Sequence, residues 1–283
     1  MTSAAASLTV VETGPLTTVQ DAGRPGQGAL GIGRSGACDR AAFRLANRLV
    51  GNDEGAAVLE VTFGGLVLCA NADVVLVTTG ARCAGMLHNA PLTLAAGEKL
   101  ALGAPVTGAR TYVAVRGGID VPAVLGSRST DLLAGLGPDI LAAGDRLPIG
   151  QSVGAMPGVD VAAVPEPEAG EVVVQVQPGP RRDWFTDDAW TSLLDQRYTV
   201  TTQSNRVALR LDGVPLERAS TGELSSEGMV RGALQIPLSG TPVLFLADHP
   251  VTGGYPVVAY VVDDDVDRCG QLRTGQTLRF TTR

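Results

Sequence analysis

Lysine is almost missing from this chain. Lys99 is the only one, and every other positively charged side chain is an arginine. With a net charge of −7 and no basic run, nothing offers the electrostatic footprint that nucleic acid requires. No apolar run approaches the length of about 18 residues needed to cross a bilayer, and no membrane association is expected. Met1 to Thr13 has neither the basic region nor the apolar core of a secretory signal. The four cysteines, Cys38, Cys69, Cys83 and Cys269, show no close spacing. The expectation is therefore a cytoplasmic protein with reduced thiols. His88 and His249 are isolated, which leaves no Cys/His cluster for zinc, and no metal site is expected. No G-x-x-x-x-G-K-[S/T] run occurs, so any nucleotide used with this chain is not held here by a P-loop.

What is abundant is glycine (36) and proline (17) in a chain that is 45% hydrophobic. That mixture suits many short strands joined by tight turns. At 283 residues the chain has room for two domains. The segment Pro157 to Gly170, rich in breakers and acids, reads as an exposed linker between a domain over residues 1–156 and another over 171–283. Alternation predicts strands at Leu59–Val61–Phe63 and at Val207–Leu209–Leu211. Runs at Val74–Val77, Thr111–Val115, Val172–Gln177, Val243–Leu246 and Val257–Val262 add more. One element recurs: a glycine followed by alternating apolar residues, at Gly97–Leu102, Gly144–Ile149 and Gly275–Phe280. Two helices are predicted, one capped by Asp39 and running to about Leu49, the other capped by Thr186.

Several motifs invite chemistry. Gly31–Gly36 matches G-x-G-x-x-G before a helix, but it lacks the preceding strand of a dinucleotide site, and a turn is the default reading. Arg34, Ser35 and the helix entry could hold a carboxylate or phosphate. Ser35 only brushes the nucleophile-elbow pattern, and Cys38 reads as a small buried residue. Three polar loops stand out: Thr17–Arg24, Gly126–Thr130 and Ala247–Pro256. They contain Gln20, Asp21, Arg24, Arg128, Ser129, Thr130, Asp248, Thr252, Gly253, Gly254 and Tyr255. Asp, Arg, Ser and Thr on loops between strands can form a polar pocket, and Gly253–Gly254 would let a backbone approach a ligand closely. Turn chemistry accounts for the same residues, and both readings stay open.

These loops also carry a resemblance. Gly14–Arg24, Ser35–Asp39, Ala46–Asn52, Arg110–Pro122, Leu125–Thr130, Pro178–Pro180, Ser225–Gly228, Gly232–Pro237 and Thr252–Pro256 look like the motifs of the KipA family. That family is also called allophanate hydrolase subunit 2 or PxpC, and the match runs in order along nearly the whole chain. The resemblance implies a mainly β fold of two tandem cyclophilin-like β-barrel domains with a few short helices. It implies a KipI-type partner (PxpB, allophanate hydrolase subunit 1). The first role it implies is a subunit of an ATP-dependent 5-oxoprolinase that opens 5-oxoproline, a small lactam, to glutamate together with a PxpA-type subunit. The second is the carboxyltransferase part of a biotin-dependent urea or amide carboxylase. The third is a regulator that antagonises a KipI-type kinase inhibitor. Asp21, Asp248 and Tyr255 are the catalytic candidates. Gln20, Arg24, Ser35, Arg128, Ser129, Thr130, Thr252, Gly253 and Gly254 are the substrate-binding candidates.

Overall fold

The structure, a computed structural model, describes residues 6–152, 154–220 and 222–282. It divides into two compact units that are not consecutive stretches of chain. The first holds the residues up to Arg24, Ser35–Asp131 and Gly135–Pro167. The second holds Pro25–Arg34, Leu132–Ala134 and Glu168–Arg283. Two short loops from the N-terminal half thus group with the C-terminal unit, which the sequence pattern does not reveal. The stretch 157–170 contains no helix or strand and is largely exposed. It is nonetheless tied down on the first unit, where the Ala162 N–H donates to the Asn89 carbonyl at 2.8 Å and Glu166 pairs with Arg82 at 2.5 Å.

In the first unit the elements are β1 (Ser7–Thr13), β2 (Leu16–Gln20), α1 (Arg40–Leu49), β3 (Val58–Thr62), β4 (Leu66–Ala70), β5 (Val74–Gly80), β6 (Leu92–Leu94), β7 (Lys99–Ala101), β8 (Arg110–Val115) and β9 (Arg146–Pro148). They form a sheet in the order β7-β4-β1-β9 and another in the order β2-β3-β8-β5-β6. Leu8, Val10, Leu66 and Leu68 of the first sheet share one core with Val19, Leu59, Val61 and Val113 of the second. Because side chains alternate along a strand, Val58, Tyr112 and Ala114 point to the opposite face, where they pack with Phe43, Ala46 and Leu49 of α1. The second sheet is therefore buried on both faces, and β8 is a continuous buried run.

That doubly covered sheet carries a polar row. Thr18 pairs in register with Glu60, Glu60 with Tyr112, and Tyr112 with Thr79. All four are buried. Glu60 Oε2 accepts from the Cys38 N–H at 2.9 Å and from the Tyr112 hydroxyl at 2.8 Å. The Tyr112 oxygen accepts from the Asp39 N–H at 2.8 Å. Thr79 donates to the Ala42 carbonyl at 2.7 Å, and Arg110 Nε lies 3.4 Å from Glu60 Oε1. Burial first, with the Glu60 charge beside it, holds the Tyr112 hydroxyl well above the usual phenol range, so it remains a donor. The start of α1 is satisfied from below by this row and from its own side by Asp39, which accepts from the Ala42 N–H at 2.9 Å.

The second unit comprises β10 (Val172–Pro178), α2 (Asp187–Asp195), β11 (Tyr198–Val200), β12 (Ala208–Asp212), β13 (Glu227–Gly228), β14 (Ala233–Gln235), β15 (Val243–Phe245), β16 (Thr252–Gly253), β17 (Val257–Val261), α3 (Asp263–Cys269) and β18 (Thr277–Thr281). Seven strands close into a barrel in the order β10-β17-β14-β15-β12-β11-β18, with β10 and β18 parallel where the ring closes. Val172, Val174, Leu209, Leu211, Leu234, Leu244, Leu278 and Phe280 fill its core, and Leu193 of α2 and Val266 of α3 join them. The chain is thus mainly β with three α-helices among the described residues, as its composition and family motifs imply. No described helix is long and apolar enough to cross a membrane.

Local readings mostly survive. Asp39 and Thr186 cap helices as predicted, Thr186 accepting from the Ala189 N–H at 3.0 Å. The recurring glycines Gly97, Gly144 and Gly275 take φ of 86°, 96° and 84° and each leads into a strand. Phe63 departs from its predicted strand: β3 stops at Thr62, and Phe63 turns with φ 60° into solvent. The third helix has no counterpart among the predicted elements. Asp263, Asp264 and Asp265 lie in its first turn, where carboxylates favour a helix start.

Two expectations follow. Asp39→Ala and Thr186→Ala should each lower unfolding free energy by about 1 kcal/mol, as measured by urea denaturation. Cys38, Cys83 and Cys269 are buried, and burial pushes the Cys269 thiol up to about 12, while Cys69 is half-buried. A thiol reagent at neutral pH should therefore label Cys69 well ahead of the other three in the folded protein, and all four after denaturation. Rapid native labelling of more than one thiol would contradict this packing.

Candidate functional site

In the first unit, the chain leaving β2 and the loop at 127–131 lock together. Asp21 Oδ1 accepts from the Gly23 N–H at 2.8 Å, from Ser127 Oγ at 2.7 Å and from Ser129 Oγ at 2.5 Å. Its Oδ2 accepts from the Arg128 N–H at 2.6 Å. Ser129 Oγ in turn accepts from the Asp21 N–H at 3.1 Å. Four donors from its own chain occupy this carboxylate, so its first task is to hold the loops rather than to take a substrate proton. Arg128 is likewise engaged, donating from Nε to the Val121 carbonyl at 2.7 Å and from Nη2 to Asp120 Oδ1 at 2.7 Å.

Beside that lock, Gln20 Nε2 donates to Thr18 Oγ1 at 3.0 Å and to the Thr130 carbonyl at 2.9 Å. Ser35, held at φ 55°, donates from Oγ to the same carbonyl at 3.3 Å. The buried Arg24 guanidinium donates from Nη2 to the Ser129 carbonyl at 2.5 Å and lies 3.6 Å from Asp131 through Nη1. Gln20 Oε1, Thr130 Oγ1, and Arg24 Nε and Nη1 are buried without a hydrogen-bond partner. Buried polar atoms in folded proteins are ordinarily paired with protein, water or ligand. Arg24 Nη1, although without a hydrogen bond, faces the buried Asp131 carboxylate as an ion pair.

The proposed anion site at the helix entry is occupied by the protein itself. The Cys38 and Asp39 N–H groups already bond to Glu60 and Tyr112. The G-x-G-x-x-G run follows a short 3-10 turn, Gly28–Leu30, rather than a strand, which removes the dinucleotide reading.

In the second unit, Asp248 is fully buried. Its Oδ2 accepts from Arg206 Nε at 3.0 Å and its Oδ1 from Arg206 Nη2 at 3.1 Å, a side-on pair joined by the Leu132 N–H at 3.3 Å. Thr252 and Gly253 form β16 and pair with β13. A Cβ on Gly253 would come within 2.7 Å of Gln235 Nε2 and 3.1 Å of Met229 Sδ. The glycine is needed for close packing against that amide, which itself donates to the Tyr255 carbonyl at 2.9 Å. Tyr255 is exposed, its ring 5.9 Å from the Arg218 guanidinium. Glu227 on β13 is clamped by Arg181 through Nε at 2.9 and 3.1 Å. That hydrogen bonding holds the Glu227 carboxyl below its ordinary range. Gly254 lies in the same turn.

The structure therefore gathers Gln20, Asp21, Arg24, Ser35, Arg128, Ser129 and Thr130 around one polar cluster. Thr252 and Gly253 lie on β16, Gly254 and Tyr255 follow it with the Tyr255 ring near Arg218, and Asp248 belongs to a buried ion pair. Sequence reading missed Glu60, Arg110, Tyr112, Arg181, Arg206, Arg218 and Glu227 as polar organisers. Glu60 had one signal available, a charge inside an alternating apolar strand. Among the described residues, no group of three or more His, Cys, Asp or Glu is placed to hold a metal ion.

With this geometry in hand, comparison with known proteins is informative. Residues 30–282 match the family described as carboxyltransferase domain, subdomain A and B. The chain is 38% identical to the C-type subunit of 5-oxoprolinase from Escherichia coli (strain K12) over 282 residues, covering 96% of this chain and 90% of that one. The crystal structure of TTHA0988 superposes with a TM-score of 0.87 at 36% identity, over 99% of this chain and 56% of the other. The Kluyveromyces lactis urea carboxylase gives a TM-score of 0.90 at 29% identity, over 100% of this chain and 28% of the other. This chain thus spans about half of the first solved relative and less of the second. The chain belongs to the carboxyltransferase subdomain A and B family, the family to which its KipA-like motifs point.

Proposed function

We propose that this protein is the C-type subunit of an ATP-dependent 5-oxoprolinase, acting in the cytoplasm with a KipI-type and a PxpA-type subunit. The observation that carries this reading is the near end-to-end match to the Escherichia coli subunit, 96% of one chain against 90% of the other. The urea carboxylase match, by contrast, occupies 28% of a much longer chain. Four unbridged cysteines suit a reducing compartment.

In the proposed reaction the lactam C–N bond breaks, the oxygen of water joins the ring carbonyl carbon, and the nitrogen takes a proton to become the amine of glutamate. ATP supplies the driving force. With no P-loop in this chain, any nucleotide held here is not held by that motif. Within the chain, Arg24 Nε is assigned to the substrate carboxylate and Gln20 Oε1 to the lactam N–H, both atoms lacking a hydrogen-bond partner. Asp21, Ser129 and Arg128 shape the loop that presents them. Tyr255, with Thr252, Gly253 and Gly254, offers a second polar surface. The fold match to urea carboxylase, with a TM-score of 0.90, favours one second reading. In that reading the chain is the carboxyltransferase component of a biotin-dependent carboxylase, with biotin carried by another chain.

The purified chain with ATP and 5-oxoproline should release no glutamate. Adding the KipI-type and PxpA-type proteins should start turnover. Turnover by the chain alone, or none in the assembled mixture, would count against the 5-oxoprolinase reading. In that mixture, Tyr255→Phe should leave the melting temperature unchanged and lower kcat/KM roughly tenfold, the scale of one lost hydrogen bond. Undiminished activity would remove Tyr255 from the site. Asp248→Asn should behave differently, costing about 3–5 kcal/mol of stability because it breaks the buried side-on ion pair with Arg206. An Asp248→Asn variant that melts normally but is inactive would instead place Asp248 in the chemistry.

A further inference from the structure

On the outer wall of the barrel lies a groove that the reading above does not use. Strand β12 alternates strictly: Leu209 and Leu211 point into the core, while Arg210 and Asp212 point outward and are exposed. The strand is flanked by β11, where Thr199 pairs with Asp212, and by β15, where Val243 pairs with Arg210. The turn after β11 and the loop before β15 rise on either side of it. Between them is an open groove of about 350 Å³, walled by Thr201, Thr202, Gln203, Ser239 and Thr241 with Arg210 and Asp212 on its floor.

Three features set this groove apart from an ordinary solvated face. Arg210 and Asp212 carry opposite charges on one face of one strand, about 7 Å apart along the chain. Yet they do not pair with each other, and neither side chain has a hydrogen-bond or ion-pair partner among the described residues. Most other arginines of this unit are committed to carboxylates: Arg181, Arg182, Arg197, Arg206, Arg231, Arg268 and Arg279 all have one. Finally, Thr201 Oγ1 at the groove wall is buried without a partner. Its neighbours Ser239 and Thr241 already satisfy each other at 3.0 Å.

We infer that this groove binds a small free α-amino acid. The guanidinium of Arg210 takes the carboxylate, which its planar fork suits. The Asp212 carboxylate takes the ammonium. A site that needs both charges of a zwitterion rejects a dicarboxylate, because the dicarboxylate places a negative group against Asp212. The volume lies at the small end of ligand sites. The inference does not depend on the proposed reaction, since the groove contains none of the residues assigned to it.

The test is titration calorimetry on the whole chain with L-alanine and L-glutamate as probes and glutarate as the ammonium-free control. At least one amino acid should bind saturably, and Arg210→Ala and Asp212→Asn should each weaken it about tenfold or more. Glutarate should bind more weakly than L-glutamate. Both substitutions lie on exposed positions, and thermal melts should match the parent protein. No saturable binding of either amino acid would overturn the inference. So would binding untouched by both variants, or glutarate binding as tightly as L-glutamate. Because no partner subunit or ATP is present, failure here leaves the 5-oxoprolinase reading untouched, and failure of turnover in the complex leaves this site untouched.

Discussion

A carboxylate with no access to water sits at the centre of the first unit. Glu60 is placed by strand register beneath the start of α1, and its cost of burial is offset by the Cys38 N–H, the Tyr112 hydroxyl and the Arg110 guanidinium. A buried charge without such partners would cost several kcal/mol. Strand pairing extends the effect sideways. Thr18 stands opposite Glu60 on β2, and Gln20, two residues on and hence on the same face, bonds to both Thr18 and the Thr130 carbonyl. The buried row and the loop cluster are therefore continuous, and the sheet that seats the helix also sets where Gln20, Asp21 and Arg24 emerge.

The candidate cluster divides by physical role. Asp21, Ser127 and Ser129 bond one another and hold their loops, while Arg128 donates from Nε to Val121 and from Nη2 to Asp120. Gln20, Arg24 and Thr130 retain unpaired atoms. Asp248, like Asp21, is engaged by its own chain, its charge spent on Arg206. The hydrogen bonds of Asp21 and Asp248 are those that turn chemistry and ion pairing expect.

Much of the fold was legible because its signals are local. Asp39 and Thr186 announce helix starts, and Gly97, Gly144 and Gly275 announce strand entries. Alternation in β12 and β18 marks an inner and an outer face. What escaped depends on the third dimension. Nothing near Glu60 in sequence shows that Tyr112 and Cys38 will meet it. Nothing near Asp248 names Arg206 as its partner, 42 positions away. The grouping of Pro25–Arg34 and Leu132–Ala134 with the second unit is a property of topology that no composition shift marks. The loops carrying site candidates stood out by composition and by family motifs, but their role did not, because serine, aspartate and arginine in a turn look alike whether they bind a ligand or one another.

The continuity between the buried row and the helix entry is open to one direct measurement, amide hydrogen exchange at Cys38 and Asp39 in a Glu60→Gln variant. If Glu60 organises this region, those two amides should exchange at least tenfold faster than in the parent protein, while amides of β17 in the barrel keep their rates. Unchanged exchange at Cys38 and Asp39 in a folded Glu60→Gln protein would show that the helix entry is held by other contacts and would contradict the account.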